Sequence, residues 1–173
     1  MALIVEDGSG KADAESYLSV ADADTRIAAL PSPPASWTGA TTAAKEAALR
    51  DGTRYLDLLY GSRWRGRKTD RDNALGWPRF RARDDDEYLY DSDDIPSALE
   101  DATAQAAVRS IAGTDLLADL ANPGTLESKS VQVGSIKSSR TYSGGNSPRT
   151  EYTEICLAVA PLIEPFGTVA RSW

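Results

Sequence analysis

The chain has 173 residues, enough for one ordinary domain with a real core but hardly for two. It carries 19 basic and 26 acidic residues, a net charge of −7, so it is no general binder of nucleic acid or membrane surface, and any such role has to be local. With no histidine and one cysteine, it excludes Ser-His-Asp and Cys-His catalysis, histidine-ligated zinc, a cysteine metal site and a disulfide framework.

Residues 1–13 read as an extended lead-in, with Leu3, Ile4 and Val5 able to dock as a short strand. They show no basic region and too short an apolar stretch for a signal peptide, and no apolar run approaches the ~20 residues of a membrane span. A cytosolic protein is expected. "DGSGK", Asp7 to Lys11, is a turn-rich linker and not a phosphate loop, since one residue separates its glycines and Ala12 follows Lys11.

Asp13 to Leu30 reads as a helix capped by Asp13 or Ser16. Tyr17, Val20, Ala21, Asp24, Ile27 and Ala28 fall at helical spacing on its inner face. "PSPP", Pro31 to Pro34, stops it. Thr41 to Gly61 is the clearest helix, capped by Thr41 or Thr42, with Ala44, Ala48, Leu49, Tyr55, Leu56 and Leu59 as a core stripe. Gly52 inside it marks a bend or a close packing contact.

The stretch "YGSRWRGRKTDRDNALGWPRF", Tyr60 to Phe80, follows. From Gly61 to Arg83 there are eight basic residues, opposed only by Asp70 and Asp72; from Asp84 to Asp101 there are nine acids and no base. A short strand in "EYLYDSDDIP" leads to a helix from Ile95 to Gly113, with Pro96 in its first turn and a small-residue stripe of Leu99, Ala102 and Ala106 with Ile95, Val108 and Ile111. "TDLLADLANPG" reads as a short helix. Val131, Val133 and Ile136 suggest a hairpin near 128–142, "SGGNSPR" a flexible polar segment, and Glu151 to Phe166 a final helix ended near Pro161 or Pro165. The sum is mainly α: a bundle of four to five helices with a short β-hairpin excursion, in a single domain spanning 1–173 with a C-terminal interaction tail from about residue 164.

Two chemistries compete for Tyr60–Phe80. Arg63, Arg65, Arg67 and Lys68 can neutralise phosphates while Trp64 stacks on bases. Alternatively both tryptophans pack and the arginines pair with Asp84, Asp85 and Asp86 downstream, which the composition favours. The acid cluster lacks the order of a calcium loop and reads as solvated surface. Cys156, among Ile155, Leu157 and Ala158, reads as an inert thiol. No residue set supports an enzyme, and no cofactor or metal is expected.

The ordered segments "MALIVEDGSGKADAESYLSVADAD", "AAKEAALRDGTRYLD…RWRGRKT…ALGWPR" and "DSDDIPSALEDATAQAA" together resemble a family of tailed-bacteriophage proteins often labelled DnaT-like single-stranded-DNA-binding proteins, which also resemble head–tail connector (adaptor) proteins. The connector resemblance implies a virion neck protein, present in the host cytoplasm before assembly. It implies a homo-oligomeric ring of twelve subunits on the portal protein, contacting a stopper or tail-terminator neck protein and lining a channel of packaged DNA without sequence specificity, with no membrane. It implies portal contacts by Phe166, Val169, Arg171 and Trp173, and ring or channel roles for Arg63, Trp64, Arg65, Arg67, Lys68, Asp84, Asp85 and Asp86. The DnaT-like label implies instead a single-stranded-DNA-binding replication accessory using Arg63, Trp64, Arg65, Arg67 and Lys68. The net charge of −7 sits awkwardly with a free single-strand binder, so the connector is the leading expectation.

Overall fold

The computed structural model describes residues 2–117, 126–132, 137–142 and 152–164. Among them are five α-helices: α1 (Val20–Ala28), α2 (Ala35–Thr38), α3 (Thr42–Tyr60), α4 (Ser97–Ile111) and α5 (Thr153–Val159). Two antiparallel ribbons accompany them, β1 (Arg67–Lys68) with β2 (Arg79–Phe80) and β3 (Leu126–Gln132) with β4 (Lys137–Tyr142). The protein is mainly helical with a small hairpin, as the sequence pattern predicts. By its contacts the chain divides into two compact units, Met1–Leu116 with Thr153–Trp173, and Leu117–Tyr152, which holds β3 and β4.

In the first unit α3 packs on α4, and the helical stripes meet in a core of Leu18, Ala23, Ile27, Trp37, Ala48, Leu49, Ala104 and Ala107. Gly52 is a packing contact. A Cβ there would lie 3.0 Å from the Ala107 backbone nitrogen and 3.1 Å from both Ala106 Cβ and Thr103 O. The small residues of α4 let the two helices approach this closely. Gly52→Val should therefore lower the unfolding free energy by about 1–3 kcal/mol in urea titration, despite valine's better helix propensity. Wild-type stability in that variant would show that α4 can retreat without loss.

The first helix begins later than expected. Ser16 does not cap it. Its backbone pairs in parallel with Val5, its carbonyl accepts from the Glu6 N–H at 2.9 Å, and its hydroxyl donates to Leu18 O. Held extended against the lead-in, residues 13–18 are unavailable for helix, and α1 starts where the Ser19 hydroxyl accepts from the Asp22 N–H. Tyr17 and Leu18 are still buried, while Ala21 and Ala28 are exposed and Ala23 takes the inner face with Ile27. Asp24 holds the partner side chains: it accepts from Trp37 Nε1 at 2.8 Å and pairs with Lys45 at 2.7 Å. The four-residue α2, too short to show a period, seats Trp37.

Thr41 caps α3, and Ala44, in its first turn, lies outside the core. Thr114–Leu117 forms a turn rather than a helix, and the rest of "TDLLADLANPG" lies outside the described residues. In "EYLYDSDDIP" a lone Arg83–Leu89 bridge stands where a strand is expected. The last helix gives way at Ala160 to a 3-10 turn containing Pro161, since proline supplies no N–H to continue it.

Candidate nucleic-acid interface

The arginine-rich stretch leaves α3 and immediately pairs with the C-terminal segment. Arg65 N–H donates to Leu162 O at 3.0 Å, Glu164 N–H donates to Arg63 O at 2.8 Å, and Trp64 bridges Ile163. Gly66 then turns with φ 71°; a Cβ there would sit 2.6 Å from both Phe80 O and Ala82 N. Only glycine fits that approach. β1 follows and pairs with β2, placing Arg67 opposite Phe80 and Lys68 opposite Arg79.

The ribbon stands on a buried base. Trp64 and Trp77 are 4% and 0% exposed and meet edge-on at 6.4 Å, with Tyr60 and Tyr90 completing an aromatic row. Beneath them the Asp57 carboxylate accepts from Tyr17 OH at 2.6 Å, Gly76 N–H at 2.9 Å and Trp64 Nε1 at 3.3 Å. Burial pushes the Asp57 pKa up against those three donors. Arg79 is buried as well. Its guanidinium donates to the carbonyls of Arg65 at 2.7 Å, Gly76 at 2.9 Å, Gly66 at 2.7 Å and Trp64 at 3.3 Å, and burial lowers its pKa. It acts as a staple inside the loop and offers nothing to solvent.

Above this base the outer face is basic. Phe80 is 38% exposed, with the Arg67 guanidinium 5.1 Å and the Arg81 guanidinium 5.4 Å from its ring centroid. Arg67, Lys68, Arg71 and Phe80 line one open depression, shared with Asp70 and Ser92. Among the described residues, Arg67, Arg71 and Arg81 have no carboxylate within 4.0 Å. Arg81 adopts φ 60°, a region that costs a non-glycine residue roughly 1–2 kcal/mol. Unpaired guanidiniums beside a partly exposed ring are the components that bind phosphates and stack bases.

The residues singled out from sequence separate accordingly. Trp64 is buried and unable to stack on a base. Arg63 and Arg65 are committed to the carbonyls of Glu164 and Ile163, and Arg65 also pairs with Asp85 at 2.6 Å. Arg67 and Lys68 do reach the open face, Lys68 while donating to Asn73 O. Asp84 closes its own loop by accepting from the Asp86 and Tyr88 N–H groups, and Asp86 is exposed. Phe166, Val169, Arg171 and Trp173, like the segment Ser143–Arg149, lie outside the described residues. Sequence reasoning missed Phe80, Arg71 and Arg81. The alternation "RFRAR", residues 79–83, arginines flanking one aromatic, is the signal that marks Phe80 and Arg81; Arg71, between Asp70 and Asp72, carries none.

Fold and site together define a small, mainly helical protein with a basic, aromatic-bearing ribbon on its surface. Its sequence matches, over residues 1–172, the family described as "Putative DnaT-like ssDNA binding protein", and the chain belongs to that family. No curated protein and no solved structure matches it.

This match overturns the head–tail connector expectation, and with it the twelve-subunit ring, the portal and neck partners and the channel DNA. The resemblance in the ordered segments is to the DnaT-like family. The charge order that suggested ring contacts also has a local explanation, because Arg65 meets Asp85 within the same chain.

Proposed function

We propose that this protein is a non-enzymatic, cytosolic single-stranded-DNA-binding protein whose contact face is the β1–β2 ribbon. The observation that carries this reading is Phe80, exposed between two guanidiniums that lack carboxylate partners. The family description supports it. The net charge of −7 is less of an obstacle than it looks: among the downstream acids Asp85 pairs with Arg65, Glu87 with Arg83, and Glu100 and Asp101 with Arg26, and screening weakens charge repulsion beyond about 8 Å at physiological salt. Tyr88, although exposed, is a poor alternative stacking platform, because it stands among Asp84, Asp85, Asp86 and Glu87.

Binding through Arg67, Lys68, Arg71 and Arg81 should release counterions from three or four phosphates. Affinity for a labelled single-stranded oligonucleotide should then fall about 20- to 50-fold between 50 and 200 mM salt. Fluorescence anisotropy measures this directly. Binding that ignores salt, or no binding at 50 mM salt, would remove the ribbon from consideration.

A further inference from the structure

The second unit carries a charge pattern that the ribbon does not explain. Over the paired strands, Leu126–Gln132 and Lys137–Tyr142, the sequence holds Lys129, Lys137 and Arg140 against one acid, Glu127, which falls at the register shift, in a chain that is otherwise rich in acids. The antiparallel register sets Lys129 directly opposite Arg140, with Ser130 opposite Ser139 and Gln132 opposite Lys137. Like charges at directly opposed positions destabilise a strand pair. Lysines on strand edges also keep them from pairing with other chains, but edge protection does not require two cations directly opposed across the pair. An anion between opposed cations turns the repulsion into attraction.

We propose that the β3–β4 hairpin is a second phosphate-contacting element for single-stranded DNA, with the opposed Lys129 and Arg140 as its centre. The inference rests on the single-strand-binding reading and extends it from one ribbon to two basic β elements on one chain. The positions around the pair in sequence, 128, 130, 138, 139 and 141, are serines and a threonine, residue types whose hydroxyls bind phosphate oxygens.

The test compares the full chain with its Lys129→Ser/Arg140→Ser variant on an oligonucleotide of about 30 nucleotides, longer than the roughly 4–16 nucleotides one small binding element covers. The slope of log affinity against log salt should fall in magnitude by about 1.4 in the double variant, and by about half that in Arg140→Ser alone. The charge-conserving exchange Lys129→Arg/Arg140→Lys should keep the wild-type slope. Without DNA, the double variant should melt no lower than wild type, since a repulsion has been removed. Wild-type binding with an undiminished slope in both serine variants overturns the hairpin's role and leaves the β1–β2 ribbon standing. Absence of wild-type binding overturns both.

Discussion

Phe80→Ala should weaken single-stranded-DNA binding about 5- to 150-fold while leaving the melting temperature nearly unchanged, because a stacked base contributes about 1–3 kcal/mol through its aromatic platform. The contrast with the tryptophans makes the result diagnostic. Trp77→Ala removes a fully buried ring and should cost about 3–5 kcal/mol of folding stability, so any loss of binding there follows unfolding. Phe80 has less stability to lose than Trp77, since it is 38% exposed and two of its ring's neighbours are the guanidiniums of Arg67 and Arg81. Arg81→Gly sharpens the test further. Glycine relieves the φ 60° backbone and should hold or raise stability by roughly 1 kcal/mol, while removing a cation from the binding face and weakening affinity. Stability and binding moving in opposite directions at Arg81 would show that the strained backbone serves the ligand. Unchanged affinity in both Phe80→Ala and Arg81→Gly would take the ribbon out of DNA binding.

Much of the scaffold was legible. The long helices α3 and α4 follow directly from their alanine-rich periodicity, the Thr41 cap and the Gly113 exit, because burial of one stripe decides such segments. The start of α1 was not, because Ser16 has two equally local options and the lead-in strand decides between them through the Val5 bridge. The same kind of non-local decision hid the site. The sequence favours packing for Trp64 and Trp77 but says nothing that singles out Phe80. Which aromatic faces out depends on the paired register of β1 and β2, on Asp57 drawing Trp64 Nε1 inward, and on Arg79 gathering carbonyls from both sides of the turn. The expectation that the tryptophans pack and that an arginine pairs with the downstream acids is realised at Arg65 and Asp85. A stretch that seemed to demand one use therefore has two: its inner residues build the base, and its outer residues form the face.

Arg79→Lys should be among the most damaging conservative substitutions in the protein, lowering the unfolding free energy by about 3 kcal/mol or more. Arginine at this position spans four carbonyls with one planar fork, reaching Arg65 and Gly66 at 2.7 Å on one side and Gly76 at 2.9 Å on the other. A lysine ammonium has three donors at a single point and cannot reach the same set. The substitution thus leaves a buried charge short of partners and buried carbonyls short of donors. Arg79→Met separates the two penalties. It abandons the carbonyls but removes the charge, so it should be no worse than Arg79→Lys if the under-bonded charge dominates, and worse if the carbonyls do. Both variants should lose DNA affinity along with stability, since Phe80 is the next residue on the same strand. Urea unfolding of the pair decides the matter: a lysine variant as stable as wild type would mean that water satisfies those carbonyls, and that the loop under the binding face is held by the tryptophans and Asp57 alone.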